Sequence, residues 1–158
     1  MALPEQQLPD VSVFSKDSLR WRIFRLLPAL VAQDEFELLR RFINDDQDQQ
    51  KRAQLALKLA DLFDQYQVYR ADWLADWAKG LYRLAQMDGD AKAMPDDQLW
   101  QAKLWQAILT ELPKEQQQQS RFSLHQAFLR EVKSWKKAPK NLPRRVIIFG
   151  ISSLPQQM

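Results

Sequence analysis

The fold is decided by residues 54–79, QLALKLADLFDQYQVYRADWLADWAK, in which large apolar residues recur at the spacing of one helix face. These residues are Leu55, Leu59, Leu62, Phe63, Tyr66, Tyr69, Trp73 and Trp77. Because a helix turns by about 100° per residue, the members up to Tyr69 fall in one broad sector. The opposite sector carries Asp61, Asp64, Gln65, Leu57 and Val68. The pattern predicts a helix with one side for a core and a second side that makes contacts of its own.

The flanking sequence predicts further helices on both sides of this stretch. Arg70 is a plausible bend, because Ala71-Asp72 is typical of a fresh helix start. Pro28 is expected to end or kink the first helix, with a short helix following from Ala29. Gly80 is a candidate C-cap, and residues 87–95 are typical of a surface loop. Predicted N-caps are Ser15, Asp34, Asp46, Asp96 and Ser123, the last in the capping box SLHQ.

Composition agrees with a helical domain that has a substantial core. The chain of 158 residues has only three glycines and contains six tryptophans. It has no cysteine, which excludes disulfides and thiolate chemistry and is consistent with a reducing cytoplasm. No apolar run approaches the roughly 20 residues of a membrane span, so no membrane association is expected. The net charge of +3 permits nucleic-acid binding without arguing for it.

The chain divides into three parts by pattern. Residues 1–13 are expected to be a loop or disordered leader, and residues 14–138 a helical domain. Residues 139–158 are expected to be a linker followed by a strand at Val146–Phe149, because four adjacent apolar residues are more often a buried strand than a helical turn. A lone strand cannot satisfy its backbone groups, so we expect its partner strands to belong to sequence outside this chain. The fold predicted from the residues is a bundle of about six to seven helices with one C-terminal strand.

Several stretches together resemble one protein family. They are ADLFDQYQVYR at 60–70, DWLADW at 72–77, WQAKLW at 100–105, LHQAFL at 124–129 and LPRRVIIFGISSLP at 142–155. In this order they resemble the gamma subunit of exodeoxyribonuclease V, the RecC family of the bacterial RecBCD recombination enzyme. The resemblance covers the chain from about Phe14 onward. Since family members are many times longer, it implies a fragment of their amino-terminal region.

The resemblance implies both a fold and a function. The fold would be part of a degenerate superfamily-one helicase-like fold, and the location the bacterial cytoplasm. The partners would be the alpha and beta subunits, which bind the ATP and magnesium and carry the ATPase and nuclease sites, so no cofactor is expected here. The chain would bind the unwound 3′-ended single strand and help to recognise the hotspot Chi in double-strand-break repair, without catalysis of its own. The alternative is a purely structural scaffold for subunit interaction, with Trp73, Trp77 and Leu57 in an interface.

The residues that match the family's strand-reading motif are Asp61, Leu62, Asp64, Gln65, Arg70 and Arg121. The match at Arg121 is supported by less of the surrounding sequence. Carboxylates can accept hydrogen bonds from base amino groups, and arginine can bond guanine or a phosphate. Unpaired bases expose those edges. From the residues alone, this face would instead be a helix-packing surface, because carboxylates repel phosphates.

Catalytic and metal-binding motifs find no support in the sequence. A phosphate-binding loop needs glycines directly before a Lys-Ser or Lys-Thr pair, and this combination is absent; no carboxylate follows the predicted strand to hold magnesium. Glu131 and Lys133 imitate a nuclease motif, but residues two apart on a helix point to opposite sides. His125 is the only histidine and cannot form a zinc site without cysteines. Acidic pairs such as Asp72 and Asp76 are too few for calcium and are expected to be helix-capping or solvated.

A basic group lies toward the C-terminus. Its members are Arg130, Lys133, Lys136, Lys137, Lys140, Arg144 and Arg145. Charge alone favours a solvated surface over a phosphate-contacting one, and both interpretations stay open.

Overall fold

The computed structural model describes residues 12–45, 47, 49–86, 90–117, 120–137, 143, 145, 147, 149 and 150. Its α-helices are α1 (Lys16–Leu30), α2 (Glu37–Ile43), α3 (Gln50–Tyr69), α4 (Ala71–Ala78), α5 (Leu99–Thr110), α6 (Lys114–Gln117) and α7 (Arg121–Ser134). Short 3-10 helices at Asp34–Phe36 and Asp96–Gln98 lead into α2 and α5. The prediction of a mostly helical chain with six to seven helices is confirmed for the described residues. None of these helices is both long and apolar enough to cross a membrane.

The core forms where α1, α3 and α5 meet. Each helix contributes one apolar stripe, and the alanines Ala56 and Ala60 on α3 are fully buried between larger side chains. The fully buried stripe of α1 consists of Leu19, Ile23 and Leu27, and that of α5 is centred on Leu104 and Ile108. The ring of Trp105 stacks on the ring of Phe63, with ring centroids 5.5 Å apart. The ring of Phe14 also packs against Trp105, with a centroid distance of 5.6 Å. This packing fixes which side of α3 faces inward.

The junction of α3 and α4 is the predicted bend. Arg70 leaves the helical region, with φ −139° and ψ 43°, and α4 starts at the next residue. At the other end of α4, Gly80 has φ +78° and donates its N–H to the carbonyl of Trp77 at 3.0 Å. The N–H of Leu81 reaches the carbonyl of Asp76 at 2.9 Å. This pair of bonds is the Schellman motif, so the prediction of Gly80 as the stop signal is confirmed.

A β-hairpin that the sequence analysis did not predict follows α4. Strands β1 (Arg83–Ala85) and β2 (Ala91–Ala93) pair antiparallel, with Leu84 opposite Lys92. The prediction of a surface loop over residues 87–95 is therefore wrong at β2, and Met94 after it is buried. Strands of three residues are too short to show a period of two, and side chains of α4 hold this hairpin in place.

Pro28 does not separate two helices. Helix α1 continues to Leu30, and Val31 still donates its N–H to the carbonyl of Leu27 at 3.0 Å. The prediction of a new helix from Ala29 is wrong, although α1 does end within one turn of the proline. Pro28 removes the hydrogen bond that residue 28 would donate to the carbonyl of Phe24, and only two more residues of α1 follow it.

The predicted aspartate caps at α2 and α5 are also wrong. Asp34 and Asp96 are the first residues of the 3-10 turns that lead into these helices. The N-cap residues of α2 and α5 are Phe36 and Gln98. Each aspartate still lies in a first turn, where a carboxylate interacts favourably with exposed backbone N–H groups. For α3 the N-cap residue is Gln49, whereas Asp46 lies outside the described residues.

Helix α7 begins one turn earlier than the capping box predicts. Ser120 is the N-cap, and its hydroxyl accepts a hydrogen bond from the N–H of Ser123 at 3.2 Å. Two serine-led start signals overlap here, and the earlier one gives the longer helix. Phe128, on the same helix, is 52% exposed.

The predicted C-terminal strand falls mostly outside the described residues. Of its four positions, Ile147 and Phe149 are described; both are exposed and neither is assigned to a strand. The two-strand sheet that the structure does describe is the β1–β2 hairpin within the helical part. The division at residues 13 and 138 and the relation to a helicase-like fold stay predictions.

Candidate functional site

The outer face of α3 carries the first of the predicted site residues. Asp61 and Gln65 are one helical turn apart, and both lie on the side of α3 away from the core. The side chain of Asp61 is 37% exposed and that of Gln65 is exposed. Leu62, next to them, is half-buried. The structure therefore brings a carboxylate, an amide and an apolar side chain together on one open surface.

Asp61 has a partner that the sequence analysis did not identify. Lys16, at the start of α1, forms a salt bridge with its Oδ1 atom. The hydrogen bond to Asp61 raises the pKa of Lys16 above its usual value, while the charges of Asp61, Asp17 and Asp64 add to the effect. Nothing in the local pattern could identify this pair, because α1 and α3 meet only through the tertiary fold. Asp61 therefore carries its negative charge beside an exposed ammonium group, which offsets its repulsion of phosphates.

Asp64 also lies on the outer side of α3 and is half-buried. Its charge also contributes to the raised pKa of Lys16. Asp61 and Asp64 are three residues apart and are neighbours on the helix surface. Together with Lys16 they form a small mixed-charge cluster at the edge of the outer face.

Arg70 is committed to the α3–α4 junction. Its Nε and Nη2 atoms contact the two carboxylate oxygens of Asp72 at 3.3 and 3.1 Å. Nη2 also donates to the carbonyl of Ala85 on β1. The guanidinium carbon lies 3.6 Å from the ring centroid of Trp73, and the arginine side chain is only 25% exposed. Arg70 thus ties the junction to the hairpin through an ion pair, a backbone hydrogen bond and a ring face.

The contacts of Arg70 belong to a larger arrangement that holds β1. Trp73 donates its indole N–H to the same carbonyl of Ala85 at 2.9 Å. Trp77 donates to the carbonyl of Arg83 at 3.1 Å, and the Arg83 guanidinium pairs with Asp76 at 2.6 Å. The hydrogen bond that Arg83 donates to Asp76 raises the pKa of Arg83 above its usual value. Trp77 is fully buried, so the prediction that it lies in an interface is wrong. Trp73 is half-buried.

Arg121 is the first residue of α7, and only its backbone is described. Ser120 and Ser123, on either side of it, line a cavity of about 410 Å³ together with Gln67 of α3. Since Gln67 and Gln65 are two residues apart, they point to opposite sides of α3. The start of α7 thus lies on the other flank of α3 from Gln65. Whether the Arg121 side chain reaches the outer face stays a prediction.

The described residues offer no metal centre. No group of three histidine, cysteine, aspartate or glutamate side chains is arranged there to hold an ion. From the C-terminal basic group, Arg130, Lys133, Lys136 and Lys137 have exposed positions on α7 and just after it. They lie on a different element from the outer face of α3.

Comparisons with known proteins identify the family. The family described as "RecC, N-terminal domain" matches residues 1–158. The chain is 44% identical over 154 residues to the RecBCD enzyme subunit RecC of Escherichia coli K12, covering 97% of this chain and 13% of that protein. It is 36% identical over 173 aligned residues to the subunit of the same name from Haemophilus influenzae, covering 95% of this chain and 15% of that protein. The chain therefore spans about one seventh of the length of these curated relatives, and it belongs to the RecC N-terminal domain family.

Proposed function

We propose that this chain is part of the RecC-like subunit of a bacterial RecBCD-type helicase–nuclease that acts in double-strand-break repair. In this proposal it contacts the unwound 3′-ended single strand and helps to recognise Chi, and it contributes no catalytic step. ATP and magnesium would be bound by the alpha and beta subunits of the complex in the cytoplasm. The family membership and the names of the relatives support this proposal.

One observation carries the strand-contacting role. Asp61 and Gln65 lie one turn apart on the side of α3 away from the core, where Gln65 is exposed and the side chain of Asp61 is 37% exposed beside Lys16 of α1. A carboxylate and an amide oxygen can accept hydrogen bonds from the exocyclic amino groups of bases, and an amide can also donate. Such edges are available on an unpaired strand. The neighbouring Lys16 reduces the repulsion between Asp61 and the phosphates, so acids can serve here where an unaccompanied carboxylate would not.

Arg70 would act differently from the other predicted site residues. Its Nε and Nη2 atoms already have partners within the domain. Its main contribution would be to hold the end of α3 in position, with Nη1 as the part of the guanidinium that could reach a phosphate or a guanine. Substitution of Arg70 would therefore disturb the site mainly through its geometry.

A scaffold role is the alternative, and a specific observation favours it. Large apolar side chains remain exposed on two helices, namely Leu38 and Phe42 on α2 and Leu124 and Phe128 on α7. Exposed apolar groups on one helix are typical of surfaces that pack against a partner. If this domain serves only as a scaffold, these residues would carry its function, and the outer face of α3 would be solvated.

The test is made in the complete three-subunit complex with Asp64→Ala and Gln65→Ala in the RecC-like subunit. We expect both to weaken the response to Chi by about fivefold or more, the equivalent of one lost base contact, while unwinding continues at its normal rate. Asp45→Ala, in the exposed segment before α3, is the control and should behave as wild type. An undiminished Chi response in both variants would refute the strand-contacting role. Loss of subunit assembly with Phe128→Ala, together with that result, would establish the scaffold role.

A further inference from the structure

A second surface of the domain combines an exposed tryptophan with arginine. It lies where α1 passes the beginning of α3 and contains a shallow cavity of about 280 Å³. We call it the Trp21 patch; its lining residues are Arg20, Trp21, Phe24, Gln49, Gln50 and Ala53. The Trp21 side chain is 63% exposed, although other tryptophans of the chain are packed in the core. Tryptophan and arginine are the residue types most enriched where binding energy is concentrated, and here they lie side by side.

The Trp21 ring is held in place before any ligand binds. Phe24 meets it edge-to-face, with centroids 6.0 Å apart and an interplanar angle of 81°. The guanidinium of Arg52 lies 4.0 Å from the Phe24 centroid and donates to Gln49 Oε1 at 2.5 Å. The guanidinium of Arg20 lies 5.3 Å from the Trp21 centroid. Two aromatic rings and two arginines thus form a supported platform whose outer ring is accessible.

The chemistry of the patch fits a nucleotide with an unpaired base. An indole face can stack on any base, and an arginine beside it can contact the phosphate. The two glutamines supply amide groups that can hydrogen-bond to base edges. No carboxylate is among the lining residues, and α1 carries four basic residues and one acidic residue. A phosphate is therefore not repelled by the groups that surround the cavity.

We propose that the Trp21 patch binds one nucleotide of single-stranded DNA, with the base stacked on Trp21 and its phosphate beside Arg20. This inference rests on the proposed function, because it places the patch on the path of the same strand. Lys16 and Arg20 are one turn apart on α1, and Lys16 pairs with Asp61 on α3. Along α3, Gln50 and Asp61 are separated by about 16 Å, at 1.5 Å per residue. A strand that crosses Asp61 can reach Trp21 within a few nucleotides.

The test uses the complete complex and a single-stranded, thymidine-only oligonucleotide, which contains no Chi sequence. We expect Trp21→Ala to weaken binding by about fivefold to a hundredfold, as for the loss of one stacked base. Trp21→Tyr should restore most of the affinity, because it keeps an aromatic face. Arg41→Ala, which removes an exposed side chain from α2, is the control and should bind as wild type. An iodouracil-substituted oligonucleotide should photo-crosslink to the peptide that contains Trp21.

Two results would overturn the inference. One is unchanged binding by Trp21→Ala together with no crosslink to this peptide. The other is loss of subunit assembly in Trp21→Ala with normal oligonucleotide binding by the complex that does form, which would make the patch a protein interface. The readouts also separate the two proposals. Asp64→Ala tests the response to Chi, whereas Trp21→Ala tests binding without Chi, so either can fail while the other stands.

Discussion

Replacing Arg70 with alanine tests whether this residue holds the α3–α4 junction or only offers a charge to DNA. The substitution removes a partly exposed ion pair with Asp72, worth about 0.5 kcal/mol. It also removes a cation–π contact with Trp73, worth about 0.5–1 kcal/mol, and a charged hydrogen bond to Ala85, worth about 1 kcal/mol after allowance for the exposed part of the side chain. The carbonyl of Ala85 keeps its bond from Trp73, so no buried acceptor is left unsatisfied. We expect a loss of about 2 kcal/mol in the free energy of unfolding.

The assay is thermal unfolding of the 158-residue chain followed by circular dichroism. For a chain of this length, a loss of about 2 kcal/mol corresponds to a fall in Tm of roughly 4–8 °C. Arg41→Ala is the matched control, because the Arg41 side chain is 72% exposed and pairs with Glu37 one turn away on α2. It should cost no more than about 0.5 kcal/mol.

A lysine at the same position separates the two roles further. Arg70→Lys keeps the positive charge but loses the planar fork that contacts Asp72 and Ala85 together. We expect its Tm to lie closer to that of Arg70→Ala than to that of wild type. If Arg70→Ala unfolds at the temperature of Arg41→Ala, the junction does not depend on Arg70 and the reasoning fails.

Three further predictions follow from single residues. Burial raises the pKa of Tyr66, and the charge of Arg70 partly opposes this effect. The stability that the neutral Tyr66 side chain contributes is therefore complete below the unfolded pKa of about 10 and is lost as the pH rises through the folded pKa. Absorbance titration of the folded chain should show one tyrosine ionising later than the others, and Tyr66→Phe should remove that phase. Gly80→Ala should lower the free energy of unfolding by about 1 kcal/mol in denaturant titrations. An added Cβ would meet no atom within 4 Å, so the loss comes from the φ of +78°, which strains an alanine. Equal stability of the two proteins would contradict this. Ser120→Ala should increase amide hydrogen exchange in the first turn of α7, since the loss of an N-cap costs about 1 kcal/mol. Faster exchange in Ser123→Ala than in Ser120→Ala would show that Ser120 is not the N-cap.

Much of the helical architecture was predictable because it depends on local periodicity. The apolar spacing along residues 54–77 predicted α3, most of its core side, and the new helix after Arg70. Tyr69 was predicted on the core side but is 60% exposed, because it is the last residue of α3 before the bend. Gly80 was predictable as a stop signal, because few other residues adopt its positive φ without strain. Start signals were less reliable, since several serines and aspartates near a helix can each serve as its cap. Ser120 and Ser123 show that the choice depends on which start gives the longer hydrogen-bonded helix.

The candidate site was only partly predictable. That Asp61, Asp64 and Gln65 lie away from the core follows from the turn angle of a helix, and the sequence determined it. The partner of Asp61 did not follow, because Lys16 is 45 positions away and reaches it only through the packing of α1 on α3. The same holds for Trp21, whose local pattern could not tell a core ring from an exposed one.

The sequence by itself thus determined the helices, the inward and outward sides of α3, and membership of the family, since all three are encoded in short stretches. Only the tertiary structure decided that Arg70 binds Ala85 and Asp72, that the hairpin rests on Trp73 and Trp77, and that the Trp21 ring stays open to solvent. The physical reason is the separation along the chain between the residues that interact. Helix periodicity is set by neighbours within about four residues, whereas a side chain that has several chemically suitable partners takes the one that packing brings within reach.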